Sequence, residues 1–165
     1  MSHLAKNPTV ITAEPGRQEV VITREFEAPV ELLFRAYTER DMVARWLGPR
    51  DDKLAIEVFD AYSGGSWRYI SYDPQGNGFA FHGVFHEVLA NQRIIQTFEF
   101  EGLPESGHVM LETARFEALP GNRCRLVTQS LFQSIEDRDG MVQSGMERGV
   151  LDSHARLDQL FASLV

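Results

Sequence analysis

A single cysteine, Cys124, excludes an intramolecular disulfide, and nothing in the sequence points to an oxidising compartment. Basic residues are scarce: 16 Lys and Arg stand against 24 Asp and Glu, for a net charge of −8 and a pI near 5.1. Nucleic acids and anionic membranes bind to basic faces, so neither is expected as a partner. Eighteen consecutive apolar residues occur nowhere, and the N-terminus holds no apolar run of signal-peptide length. Membrane insertion and secretion are therefore not expected, and the cytoplasm is the default location. Catalytic signatures are missing as well. There is no Gly-x-Ser-x-Gly elbow, no His-Glu-x-x-His, no phosphate-binding glycine-lysine loop and no dinucleotide fingerprint after a strand. These absences disfavour common hydrolases, zinc proteases, nucleotide enzymes and dehydrogenases, and no catalytic residue, metal or cofactor is assigned.

What the chain does have is apolar material for one core: 43% of its 165 residues are hydrophobic, which suits a single domain. Residues 1–18 lack sustained periodicity and end near a Pro-Gly pair, so they are expected to form a flexible leader ahead of a domain spanning 19–165. The β-branched run Val20-Val21-Ile22-Thr23 predicts a strand over 19–26, stopped by Ala28-Pro29. Val30, Leu33, Phe34 and Tyr37 then share one helical face, and Thr38 with Asp41 resembles a capping box opening a second short helix that ends at Gly48-Pro49. Six further strands are expected over 54–59, 66–72, 79–88, 93–100, 108–118 and 123–132, separated by Gly-, Pro- and Asn-rich turns that favour antiparallel neighbours. After Asp139-Gly140 the apolar spacing becomes helical through Val142, Met146, Val150, Leu157, Phe161 and Leu164, which predicts one long C-terminal helix. The order describes an α+β domain in which that helix packs on an antiparallel sheet.

Four ordered stretches add a resemblance: Arg24-Glu25-Phe26-Glu27-Ala28-Pro29, Ala44-Arg45-Trp46-Leu47-Gly48-Pro49, Gly64-Gly65-Ser66-Trp67-Arg68-Tyr69, and Gly83-Val84-Phe85-His86-Glu87-Val88 ahead of Arg93-Ile94-Ile95-Gln96-Thr97. In these motifs the chain resembles the START-like superfamily and, within it, the family named for the activator of the 90-kDa heat-shock protein ATPase. The resemblance implies a helix-grip fold: a curved antiparallel sheet of about seven strands wrapped round the long C-terminal helix, two short helices after the first strand, and a cavity between sheet and helix. Such proteins usually carry a Gly-Trp pair on the last helix, whereas here Gly149 is followed by Val150.

Strand alternation gives a separate reading of the cavity wall. Trp67 and Tyr69 share a face, as do Met110, Ala114 and Phe116; Trp46, Trp67, Tyr69, Phe81, Phe98, Met110, Phe116 and Met146 form an aromatic and sulfur-rich candidate lining for a small hydrophobic or amphipathic molecule. An ordinary filled core is the alternative. Gly145, Gly149 and Ser153 recur every fourth residue on the last helix, so either the sheet approaches closely there or space remains. His154 lies on the apolar stripe of that helix, positioned either to offer a hydrogen bond to the cavity or to sit as a satisfied, partly buried histidine, and Glu112 shares a face with Met110 and Phe116, where burial would raise its pKa unless a bulge or a salt bridge removes that effect. His82 and His86 lie roughly 13 Å apart on one strand, too far to share a metal ion. Cys124 reads as a small inert hydrophobe.

Three functions follow as expectations. The first is a ligand-binding module without covalent chemistry. The second is a cyclase- or hydrolase-type enzyme using Tyr69, His154 or Glu112 for proton transfer. The third is a chaperone-associated regulator, suggested by the family name alone. A homodimer formed through exposed apolar surface is also compatible with the sequence.

Overall fold

The computed structural model describes residues 7–164; the first six residues of the expected leader and Val165 lie outside the described residues. Twelve elements follow one another as β1 (Val10–Thr12), β2 (Glu19–Phe26), α1 (Val30–Thr38), α2 (Arg40–Trp46), β3 (Lys53–Phe59), β4 (Ser66–Tyr72), β5 (Gly78–Leu89), β6 (Arg93–Phe100), β7 (Val109–Leu119), β8 (Arg123–Leu131), α3 (Ile135–Gln143) and α4 (Met146–Leu164). The eight strands form one antiparallel sheet in the order β1-β2-β8-β7-β6-β5-β4-β3. From β3 to β8 each strand pairs with the next in sequence, as the short connections require. This is the helix-grip architecture.

The sheet has one more strand than the expected seven. Val10–Thr12 lie in the stretch read as a leader, yet Ile11 pairs opposite Ile22 of β2. Just before the strand, the Asn7 amide donates to the Glu27 carboxylate and Thr9 Oγ1 lies 2.8 Å from His154 Nδ1. A β-branched triplet is too short to register as periodicity but long enough to pair with an existing strand.

The single C-terminal helix expected from the sequence is two helices. Ser134 caps α3, its side chain accepting from the Asp137 N–H at 3.0 Å. The helix stops at Ser144, and Gly145 follows with φ +90, a left-handed conformation that suits glycine just beyond a helix end. Gly145 therefore does not share a face with Gly149. The expected capping box at Thr38 is also absent: Glu39 caps α2 without a side-chain bond, while Thr38 Oγ1 donates to the Phe34 carbonyl.

Helix α4 turns Ser153, His154, Leu157, Leu160 and Phe161 inward. Phe161 and His154 meet the fully buried Phe26 edge-on, with ring centroids 5.8 and 5.6 Å away. On the N-terminal half of α4 a Cβ added at Gly149 would meet nothing within 4 Å, so of the two sequence readings space remains there. Because Gly149 lies in a helix without a positive φ, Gly149→Ala is expected to stabilise the protein by about 0.5–1 kcal/mol, through the lower helix cost of alanine. A urea midpoint that falls in Gly149→Ala would contradict this.

Candidate functional site

The concave face of the sheet is built by alternation. Trp67 and Tyr69 on β4, Phe85 on β5, Ile94, Gln96 and Phe98 on β6, and Glu112 and Ala114 on β7 all turn to the same side. Across from them stand Tyr37 at the end of α1, Val43 and Trp46 on α2, and Leu47 just after it, while Ile56 and Phe59 close the space from β3. Together these residues enclose a partly open cavity of about 140 Å³.

Local contacts fix this wall. Trp46 Nε1 donates to the Ala36 carbonyl at 2.8 Å, and its ring lies 4.6 Å from that of Tyr37. The Gly48 N–H donates to Ser153 Oγ at 3.1 Å, and Arg156 reaches the Leu47 and Gly48 carbonyls, so α4 pins the segment that carries Trp46 and Leu47. On the sheet, Trp67 stacks on Tyr69 at 5.3 Å with an interplanar angle of 20° and meets Phe98 at 5.7 Å. Trp67 sits over Gly83 of the neighbouring strand, which has no side chain to displace it.

One ionisable acid belongs to this apolar wall. The Glu112 carboxyl accepts a hydrogen bond from Gln96 Nε2 at 3.0 Å through Oε1, and Oε2 has no hydrogen-bond partner among the described residues. Glu112 lines the cavity, and burial pushes its pKa up, with the Gln96 bond opposing the shift. Tyr37 and Tyr69 are raised well above the ordinary tyrosine range, first by burial and then by the nearby Glu112 charge. Neither phenol hydroxyl has a hydrogen-bond partner among the described residues. Glu112 Oε2 and the two phenol hydroxyls thus give the cavity three polar oxygens without a protein partner among the described residues.

The structure brings Trp46, Trp67, Tyr69 and Phe98 of the sequence-derived candidates together in the wall and places the others elsewhere. Phe81 is on the same face, opposite Tyr69, but outside the lining, its ring 5.2 Å from those of both Tyr69 and Phe98. Phe116 packs edge-on against Phe34 and Tyr37 in the main core. Met110 and Met146 belong to a second cluster with Val20 and Phe132. Gly149 is outside the wall, and His154 points into the core beside Phe26 and Thr9. Sequence reasoning left out Tyr37, Gln96, Phe85, Ile94 and the β3 residues. Period-two alternation through Phe98 already places Gln96 and Ile94 on the right face, so that signal was available.

The remaining candidates have structural roles. His82 bonds to Glu101 at 2.9 Å. Cys124 is buried, and its thiol is pushed up to about 12, which keeps it protonated at neutral pH. Among the described residues no helix is long and apolar enough to cross a membrane.

A family model described as activator of Hsp90 ATPase homolog 1-like protein matches residues 27–162. Among solved structures, a crystal structure of a protein from Rhodobacter sphaeroides is similar at 22% identity, covering 94% of this chain and 99% of that one, with a TM-score of 0.85. A crystal structure of a protein from Mycobacterium smegmatis gives 19% identity, 96% and 100% coverage and a TM-score of 0.85. A solution structure of a protein from Arthrobacter aurescens gives 23% identity, 93% and 91% coverage and a TM-score of 0.84. At these identities the likeness establishes the shared fold. No curated protein matches the chain.

Proposed function

The chain belongs to the activator of Hsp90 ATPase homolog 1-like protein family, and on that premise we propose that it is a binding module for a small organic molecule about the size of one aromatic ring. The observation that carries this reading is the cavity itself. At about 140 Å³ it is close to the roughly 150 Å³ engineered apolar cavity known to take up benzene. A sterol or a long acyl chain would need the walls to move, whereas a single ring fits the existing space. Aromatic side chains supply most of the contact surface, and the unpartnered Glu112, Tyr37 and Tyr69 oxygens supply the few polar contacts that orient a ligand.

The test is to fill the space from within. Ala114 is buried, lines the wall and projects from β7 between Ile94 and Thr128 on the adjacent strands. In a thermal-shift screen of single-ring compounds, hits on the wild type are expected to lose at least about tenfold in affinity in Ala114→Leu, because the added side chain takes the ligand's place. Hits that bind both proteins equally, or a wild type that responds to no ring-sized compound, would remove the support for this reading.

A further inference from the structure

We infer that the cavity selects a small organic cation, an amine or ammonium group carried on an apolar body of about one ring; the inference rests on the ligand-binding reading above. The argument starts from which charges line the space. Seven of its lining residues are aromatic, and among the described residues its single carboxyl is that of Glu112. Among the described residues no Lys, Arg or His belongs to the wall.

Each ligand class meets this wall differently. An organic anion would meet a carboxyl and no cation to receive it. A purely apolar guest would leave Glu112 Oε2 and two tyrosine hydroxyls dry and unpaired, a cost of about 1–3 kcal/mol for each group. A cation gains from both features at once: ring faces attract it within about 6 Å of their centroids, and a carboxylate attracts it more strongly in a desolvated site than in water. A primary ammonium also brings three N–H donors, matching the three acceptor oxygens without a protein partner.

Proton balance gives a second signature. Burial disfavours the charged form of Glu112 in the empty cavity and a bound ammonium ion favours it, so at any pH where the carboxyl is protonated before binding its proton leaves to solvent while the ligand keeps its own. The titratable groups facing Glu112 are Tyr37 from α1 and Tyr69 from β4, both held neutral throughout the working range. Of its strand neighbours, β6 contributes Gln96 and β8 pairs Ser130 opposite it, and neither ionises. Amine affinity is therefore expected to rise with pH as Glu112 titrates.

Calorimetry with benzylamine, its neutral near-isostere benzyl alcohol, and benzoate, on the wild type and on Glu112→Gln, tests the inference. On the wild type benzylamine is expected to bind at least about tenfold tighter than benzyl alcohol, with no binding of benzoate. Glu112→Gln is expected to erase the amine preference, bringing benzylamine and benzyl alcohol to within about twofold of each other on that variant. Repeating the wild-type titration at falling pH in pairs of buffers of different ionisation enthalpy should show proton release on amine binding that grows as Glu112 becomes protonated, a readout that needs no variant. Equal affinities of benzylamine and benzyl alcohol, or amine binding unchanged in Glu112→Gln, overturns the cation inference and leaves the cavity reading standing. Failure of all three compounds overturns both.

Discussion

Gly83→Ala is expected to be among the most damaging single-methyl additions in the sheet. A Cβ at this position would lie 2.0 Å from the Thr97 carbonyl oxygen and 2.8 Å from Trp67 Cε2. The first neighbour is backbone of β6, which cannot swing away as a flexible side chain would, so β5 and β6 must separate locally or the indole must lift. Overpacking of this kind costs about 1–3 kcal/mol and sometimes more, and the backbone clash places Gly83 at the upper end. For a domain of this length that corresponds to a melting temperature about 6–12 °C lower. The same substitution should change the near-ultraviolet circular dichroism of the stacked Trp67–Tyr69 pair. A variant that melts within about 1 °C of the wild type would show that the close approach of β6 and Trp67 to Gly83 is wrong.

Acid is expected to weaken the fold through His154. This ring is buried against Phe26, and burial, with a smaller effect from the Arg24 guanidinium, pushes its pKa down from 6.5 to about 3. Arg24 itself is buried and bound by the Asp158 carboxylate through two 2.6 Å contacts, so it stays charged nearby. The folded state therefore resists protonation of His154 while the unfolded chain accepts it near 6.5. Stability from the neutral ring is complete above pH 6.5 and is lost as pH falls towards 3. At pH 4.5 the unfolded chain has gained two pH units of protonation advantage, on the order of 3 kcal/mol at about 1.4 kcal/mol per unit. Carboxylates held low by arginines, such as Glu25 and Glu101, lose stability over an overlapping acidic range, so the contrast between wild type and His154→Gln isolates the histidine. Urea unfolding at pH 7.5 and 4.5 is expected to show a smaller acid loss in His154→Gln than in the wild type; equal losses would mean that the ring is not held neutral.

Most of the fold is legible in the sequence because its strands are long and their turns well marked. The strand expected over 19–26 has the bounds of β2, and those over 66–72 and 93–100 have the bounds of β4 and β6. Two features escaped for definite reasons. Val10–Thr12 is too short to show alternation and becomes a strand through β2. The break between α3 and α4 depends on Gly145 adopting a left-handed backbone, while apolar spacing on either side runs on as if the helix were continuous.

The cavity was only partly legible. Alternation sorts side chains to the correct face, which is why Trp67, Tyr69 and Phe98 stand in the wall. It carries no information on where along a strand that face is covered. Met110, Glu112, Ala114 and Phe116 all face inward from β7, yet only Glu112 and Ala114 meet the open space; Met110 is covered by Val20 and Phe132, and Phe116 by Phe34 and Tyr37. The significance of Glu112 depends equally on long-range packing, since a salt bridge at that position would have neutralised it, whereas Gln96 satisfies one oxygen and leaves the other to the cavity.

The most direct measurement is an isotope-filtered NMR experiment on uniformly labelled protein saturated with unlabelled benzyl alcohol, a neutral probe that does not depend on the charge of Glu112. The expected result is a set of intermolecular contacts from the ligand ring to the Ala114 methyl and to the rings of Trp67 and Tyr69, all of which line the cavity. Contacts confined to exposed side chains such as Tyr62 or Leu103, or none at saturation, would contradict a ligand-binding cavity between the sheet and the α1–α2 segment.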